Sequence, residues 1–497
     1  MRPRALPEVA AAVEGRIVTD ADAHASAAGR VSVRGVTIDS RRVEPGELFV
    51  ALPGNHTDGH AFVAAAAEAG AAAAIVARGR AVQAADGAHR LPLIEVEDPA
   101  RALMALAADE RSGLPATVIG ITGSTGKTCT KDFTAAVLAT RLRVVASPAS
   151  FNNEIGLPLT VLSAGPDTEV IVCEMGARGA GHIRALCEVA RPSVGVVTNV
   201  GVAHLGLFGS REAIADAKAE LVEALPADGV AVLFADDAVV AGFAGRTPAR
   251  TIAFGLGPDA QVRAERVELD PVDGRASFAL TTPDGRADVR LPVAGAHMVP
   301  DALAAAAVGV AIGVNVADAA AGLEGAELSG GRMDAFVSAD GARVIDDAYN
   351  ANPASVEAAL LAARHIAGVG RAVAVLGEMA ELGPTSDAEH ERVGERVAAL
   401  GFDELVVVGP QAAAIGDGAR RAGMTQDRVH ACADVDAAAA VLREVARPDD
   451  VILIKASRVA RLDRLAHSLR APSSRARASG GSSNGAPSPA AHGSAAR

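Results

Sequence analysis

Apolar residues in this chain gather into short continuous runs, and these alternate with longer stretches whose apolar positions follow a helical period. Short continuous runs fit strands buried on both faces, and the longer stretches fit amphipathic helices. In residues 1–113, VSVRGVTIDS, GELFVALPG, AAAAIVA and LPLIEVED predict strands, while HAFVAAAAEAG and ARALMALAADER predict helices. The Gly and Pro of SGLPA mark the end of this small α/β unit. From Thr117, TVIGIT, KDFTAAVLATRL, TEVIVCEMG, PSVGVVTNVG, REAIADAKAELVEALP and GVAVLF alternate strand with helix, the pattern of a mostly parallel sheet. A second sheet region is expected around TIAFGLG, VRAERVELD and ASFALTT. Beyond Leu328 the alternation resumes in RAVAVLGEM, DELVVVGP and DDVILIKAS. The expectation is therefore α/β throughout, in three domains at 1–113, 114–328 and 329–470. Residues 471–497 hold no Leu, Ile, Val, Phe or Met and are expected to be a disordered tail, because nothing there offsets the entropy of ordering.

The length of 497 residues suits about three domains of ordinary size. Aromatic residues make up only 2%, with no Trp and a single Tyr, Tyr349, so the cores must be built from Ala, Val, Leu and Ile. The same scarcity excludes a base-stacking platform. The net charge is −13, and the three Arg of the tail leave −16 on residues 1–470, a surface that repels polyanions. No nucleic-acid partner is expected, and an anionic ligand needs a local site. The four Cys show no close metal-ligand spacing. No signal peptide is visible, and the longest uncharged apolar stretch, Ala302 to Val314, falls short of the ~20 residues of a membrane span. A cytoplasmic protein with no membrane insertion is expected.

Only four of the 47 basic residues are Lys: Lys127, Lys131, Lys218 and Lys455. Ala and Arg saturation suits a GC-rich genome, so each retained Lys is a candidate for work that a guanidinium cannot do. Chance survival is the plain alternative. Lys127 lies in Gly120-Ile-Thr-Gly-Ser-Thr-Gly-Lys-Thr128, between a strand and a helix. Such a Gly-rich turn lets backbone N–H groups converge on phosphate, with Lys127 reaching the terminal phosphates and the Thr128 hydroxyl placed for Mg²⁺. The glycines stand at 120, 123 and 126, whereas the strict pattern asks for Gly at 121.

Glu174 ends the strand VIVC, where a carboxylate suits Mg²⁺ but also reads as a solvated strand end. His204 follows the next strand, and a lone His is equally a structural residue. Lys218 shares a helical stripe with Ile214, Leu221, Val222 and Leu225. It is either a snorkelling side chain or a functional amine.

Together these segments resemble the ATP-dependent Mur ligases of peptidoglycan synthesis, over about Val36 to Leu465. The family's form of the phosphate loop has Gly at the position of Gly120. Asp39-Ser40-Arg41 and GELFVALPGNHTDGHAF are similar to its UDP-sugar-binding domain, and Phe151 to Thr160, with Asn152 and Asn153, to its muramoyl-peptide loop. The resemblance implies a small N-terminal UDP-sugar-binding domain, a central P-loop domain and a C-terminal Rossmann-like domain. It implies ATP and Mg²⁺ as cofactors, with Gly123, Ser124, Thr125, Gly126, Lys127, Thr128, Asp347 and Asn350 on the nucleotide. Thr128, Glu174, His204 and Lys218 would serve the metal, Lys218 as the family's modified lysine. Lys127, Lys218 and Arg332 would be catalytic, and Ser40, Arg41, Asn152, Asn153, Lys455, Ser457 and Arg458 would bind substrate.

GEMAELG and DDAYNANP select, within the family, the member that joins D-Ala-D-Ala to a UDP-N-acetylmuramoyl-tripeptide. The ligase adding the third residue and a folylpolyglutamate-synthetase-like enzyme are the rivals in class. A P-loop kinase or hydrolase, and a UDP-sugar-binding regulator without turnover, are rivals outside it. Met298 and Asp301 stand where the family commonly has Asn near adenine, although Asp301 could accept from the adenine amine. Lys455-Ala-Ser-Arg458 has Ala456 in place of the family's Gly. The implied reaction passes through an acyl phosphate, and a monomer is expected.

Overall fold

The computed structural model describes residues 1–18, 31–54, 57–80, 91–201 and 205–470. His204 and the tail at 471–497 lie outside the described residues. Among those described, three large sheets form, each flanked by helices. The N-terminal sheet runs in the order Arg16–Val18, Leu93–Val96, Ala73–Ala77, Leu48–Val50, Val36–Thr37. Leu48–Val50 and Leu93–Val96 are buried along their whole length, as continuous apolar runs require. The helix Pro99–Ser112 starts where Asp98 accepts hydrogen bonds from the N–H groups of Ala100 and Arg101, with Pro at the first position.

The central sheet has nine strands. Val144–Ala146, Val170–Glu174, Thr117–Thr122, Val194–Val197, Val230–Phe234 and Arg250–Gly255 are parallel neighbours in that order. The second sheet region expected from the sequence forms strands at all three segments, and these continue the central sheet. Val262–Leu269 pairs with Arg250–Gly255, and Arg275–Thr282 and Gly285–Ala294 extend the same sheet in antiparallel fashion. The connections at 270–274 and 283–284 are too short for a crossover, so only hairpins are possible there.

The apolar run beginning at Ala302 lies in the helix Met298–Ile312, whose sides are nearly all buried, as a helix apolar all round but for Asp301 demands. It packs against Lys127–Ala139 and, through Gly309, within reach of Val137. Gly322, on the next helix Val316–Glu324, sits so close that a Cβ there would fall 2.6 Å from the Val137 Cα. Small residues and close backbones fill a core that lacks aromatics.

The C-terminal sheet runs Asp334–Val337, Arg343–Asp346, Val451–Lys455, Ala372–Gly377, Glu404–Val408, Val429–Cys432, parallel except at its first pair. In the central sheet the first strand of the domain, Thr117–Thr122, lies between Val170–Glu174 and Val194–Val197. The strand order therefore reverses at its carboxyl end, the place where open α/β sheets bind ligands.

Candidate functional site

At that reversal the chain turns through Gly123 to Gly126. Gly123 has φ +153°, and a Cβ there would fall 1.8 Å from the Thr198 hydroxyl; Gly126 has φ +78°, and its Cβ would fall 2.2 Å from an Asp301 oxygen. Only Gly closes this turn. Asn199, at the end of the adjacent strand, braces it: its Oδ1 accepts from the Thr125 N–H at 3.0 Å and its main-chain O from the Ser124 N–H at 3.1 Å. The Lys127 ammonium donates to the Gly123 carbonyl at 2.7 Å, folded back over the loop. The helix Lys127–Ala139 follows directly, so its N-terminal N–H groups face the same space.

Glu174 leaves its strand in register with Ile121, one strand away from the loop. It is 1% exposed and accepts from the Thr128 hydroxyl at 2.7 Å and from the Asn152 amide at 2.7 Å. Arg332 arrives from the chain beyond the central sheet and donates to Thr128 Oγ1 at 2.8 Å and Ser150 Oγ at 3.2 Å. Its Nε is buried with no hydrogen-bond partner. Lys218, on the helix Arg211–Glu223, is 4% exposed, so its ammonium does not snorkel to open water. Burial, reinforced by the nearby Lys127, drives its pKa well below the ordinary lysine value. Burial also lowers Lys127. Two cations are thus held close together beside one carboxylate.

The opposite wall belongs to the C-terminal sheet. The Lys455 ammonium, buried at its strand end, meets Asp347 Oδ2 at 2.5 Å and the Asn350 carbonyl at 2.9 Å. The other Asp347 oxygen accepts from the Met333 N–H at 3.2 Å, next to Arg332. Ser457 accepts from the Ala380 N–H at 2.9 Å and donates to the Ala351 carbonyl at 3.2 Å. The Tyr349 ring lies between two guanidiniums, Arg332 at 4.4 Å and Arg458 at 5.1 Å from its centroid. The loop Gly377–Leu382 is pinned by His390, fully buried, whose Nε2 accepts from the Met379 N–H at 2.9 Å.

Apart from Met333, Met379 and His390, the side chains of these two walls line one cavity of about 730 Å³. Of the residues singled out from sequence, Ser124 to Thr128, Glu174, Lys218, Asn152, Asn153, Arg332, Asp347, Asn350, Lys455, Ser457 and Arg458 line it. Gly123 shapes the loop above it. Ser40 and Arg41 do not line it: they form a short 3-10 turn in which Asp39 engages the Arg41 side chain at 2.8 Å. Sequence reasoning passed over Tyr349 and Asn199 as site residues. The signals were that Tyr349 is the chain's single Tyr and that Asn199 follows the strand neighbouring the loop. Asp301, noted for a possible adenine contact, lies under Gly126 and accepts from the Thr130 hydroxyl at 3.2 Å. Burial pushes its carboxyl up to about 7.

The residues present fit a nucleotide triphosphate with Mg²⁺. The buried, unpartnered Arg332 Nε asks for an anion, and the turn leaves no room for any Cβ at Gly123 or Gly126. Among the described residues there is no cluster of three His, Cys, Asp or Glu side chains that would form a protein-only metal cage. Mg²⁺ takes one or two protein oxygens and draws the rest from phosphate and water. Thr128 and Glu174 are the oxygens available.

Three family models match the chain: the Mur ligase family catalytic domain over residues 32–111, the Mur ligase middle domain over 121–309 and the Mur ligase glutamate ligase domain over 331–458. The UDP-N-acetylmuramoyl-tripeptide–D-alanyl-D-alanine ligase of Mycobacterium tuberculosis is 44% identical over 496 residues, covering 92% of this chain and 96% of its own. The protein of the same name from Bacillus subtilis is 36% identical, covering 88% and 93%. Among solved structures, MurF from Acinetobacter baumannii superposes with a TM-score of 0.80 at 30% identity, covering 94% of this chain and 98% of that one.

Proposed function

The chain belongs to the Mur ligase family, and on that premise we propose that it joins D-Ala-D-Ala to a UDP-N-acetylmuramoyl-tripeptide, with ATP giving ADP and phosphate, in the cytoplasmic assembly of peptidoglycan precursors. The observation that carries this reading is Arg332. It crosses from the C-terminal part of the chain to touch Thr128 beside Glu174, and it holds a buried N–H without a partner. A phosphate-transfer centre shared between the central and C-terminal domains is consistent with that contact.

In this reading the tripeptide carboxylate attacks the γ-phosphorus, the bond to the ADP oxygen breaks, and an acyl phosphate forms. The D-Ala-D-Ala amine then attacks the acyl carbon and phosphate leaves. Lys127 and Arg332 stabilise the charge that develops on the transferring phosphoryl oxygens. Mg²⁺, held by Thr128 and Glu174 and, in the family pattern, by His204, neutralises phosphate charge when bound. Asn152 and Asn153 flank the carboxylate side. Asp347 and Asn350, fixed by Lys455, suit the ribose. The domains are taken as 1–113, 114–328 and 329–470, and the protein as a monomer. Ser40 and Arg41 would meet the UDP moiety from outside the cavity.

Lys218 works in this scheme as a carbamate. A free ammonium beside Lys127 and the metal position is repelled, whereas the neutral amine that burial favours adds CO₂, loses a proton and becomes an anion. An arginine cannot form this adduct.

The test is ATP-dependent phosphate release with UDP-muramoyl-tripeptide or -dipeptide crossed with D-Ala-D-Ala, D-Ala and diamino acids. Turnover is expected only for the tripeptide with D-Ala-D-Ala. Efficient use of the dipeptide with a free diamino acid would assign the chain to the preceding step. Phosphate release without any amine would make it a hydrolase.

A further inference from the structure

Three of the chain's four lysines have a place in the scheme above, and Lys131 is the fourth. It does not line the cavity. On the helix Lys127–Ala139, Lys131 and Asp132 follow Thr128 at i+3 and i+4, so the three share one face. The Lys131 ammonium is buried and meets three acceptors: the Ser147 carbonyl at 2.8 Å, the Ala149 carbonyl at 3.0 Å and Asp132 Oδ1 at 2.7 Å. A compact ammonium aims three donors at acceptors gathered around one atom, and the planar fork of a guanidinium does not. That geometry gives an arginine-rich chain a reason to keep lysine here.

Both partners of the pair hold segments that reach Thr128. On the Lys131 side, the Ser147 hydroxyl accepts from the Glu174 N–H at 3.2 Å. Ala149 has φ +46°, a left-handed conformation that an L-residue keeps only where its surroundings enforce it. Ser150 comes next, its hydroxyl 3.1 Å from Thr128 Oγ1 and accepting from Arg332 at 3.2 Å. On the other side, Asp132 Oδ2 accepts from the Ser329 N–H at 2.8 Å. Gly330 and Gly331 follow, and then Arg332 donates to Thr128 Oγ1 at 2.8 Å. The segment 329–332 is thus fastened to one helix face at two points a turn apart, with two glycines between them.

We propose that Lys131 and Asp132 are positioning residues of the ligase reaction: their buried charge pair clamps residues 147–150 and the segment 329–332 to the phosphate-loop helix, and so seats Ser150 and Arg332 on Thr128. This rests on the ligase reading. The phosphate loop itself is braced separately, by Asn199 on Ser124 and Thr125. Loss of the clamp therefore leaves nucleotide binding in place and displaces Arg332, the group that meets the transferring phosphoryl. A displacement of about 1 Å is enough to cost on the order of 100-fold in rate. The clamp acts on kcat and leaves KM for ATP alone.

The experiment measures kcat and KM for ATP of the full chain with saturating UDP-N-acetylmuramoyl-tripeptide and D-Ala-D-Ala. The main variant is Lys131→Met with Asp132→Ala, which removes both charges together so that neither is left buried alone. It should lower kcat at least tenfold and change KM for ATP less than twofold, with a melting curve showing that it is folded at the assay temperature. Adding the same pair to Arg332→Gln should lower kcat by less than a further threefold, because the group that the clamp seats is already gone. Wild-type kcat in the folded variant, kcat and KM moving together, or the tenfold loss repeated in the Arg332→Gln background would each reduce the pair to a stabilising contact and overturn the proposal. Should the double variant melt below the assay temperature, Asp132→Ala alone carries the same test. It frees Ser329 but leaves Lys131 its two carbonyls, and it should lower kcat at least threefold at unchanged KM; wild-type kcat there would overturn the clamp. No wild-type turnover would overturn the ligase reading and the clamp's role in it, whereas wild-type turnover with unaffected variants overturns the clamp alone.

Discussion

The two walls of the cavity handle charge in opposite ways. On the central wall, Lys127 and Lys218 crowd together, Lys218 is buried with a strongly lowered pKa, and the buried Asp301 carboxyl is pushed up to about 7. On the C-terminal wall, Lys455 is matched to Asp347, Ser457 is saturated by backbone groups, and both facing guanidiniums lie on Tyr349. In the proposed reading, frustrated charge marks the wall that meets phosphate and substrate charge, because those ligands would complete it. Satisfied charge fixes the rest of the C-terminal wall, which presents Arg332 with its buried Nε unpartnered. On the proposed function, the first wall serves the chemistry and the second the positioning.

Four experiments sharpen or break this contrast. Lys218→Arg keeps the charge but not the adduct. It should reduce turnover by about 1,000-fold, as loss of a central electrostatic group does, while Lys218→Ala with added short carboxylates should regain part of the activity. Full activity of the arginine variant in the phosphate-release assay would remove the carbamate. Lys455→Met leaves the half-buried Asp347 without its cation and should cost about 2 kcal/mol in denaturant unfolding; adding Asp347→Asn should return much of that loss. A loss confined to turnover would place Lys455 with the chemistry instead.

Asp301 gives the central wall a pH signature. Its carboxyl binds a proton more tightly folded than unfolded, so its contribution is most favourable below the ordinary value of 3.8 and is lost as pH rises to about 7. Asp301→Asn should therefore be nearly neutral for thermal stability at pH 4 and stabilising by about 2 kcal/mol at pH 8. A benefit independent of pH would contradict this. Tyr349→Leu, on the other wall, should lower kcat about tenfold by loosening Arg332 and Arg458, with Tyr349→Phe close to wild type. If the phenylalanine variant is as poor as leucine, the hydroxyl rather than the ring is what matters.

The strand and helix alternation was legible because buried strands and amphipathic helices leave local periodicities. TVIGIT, TEVIVCEMG and DDVILIKAS each emerge as strands within the predicted segments. What the periodicity could not say was which strands share a sheet. The segments at TIAFGLG, VRAERVELD and ASFALTT were readable as strands, yet their joining to the central sheet depends on pairing partners far along the chain.

The sequence by itself determined the phosphate loop, since its glycines, Lys127 and Thr128 are consecutive and their geometry is local. It also marked Lys218, because a lysine on an apolar stripe in a lysine-poor chain conflicts with its surroundings at short range. Only the tertiary structure decided that Arg332 reaches Thr128, that Tyr349 lies between two guanidiniums, that Asp301 lies under Gly126 and that Ser40 and Arg41 stay outside the cavity. Those contacts join residues far apart along the chain. They exist because the central and C-terminal sheets pack so that their strand ends converge on one cavity, and no local periodicity encodes where a distant strand end will come to rest.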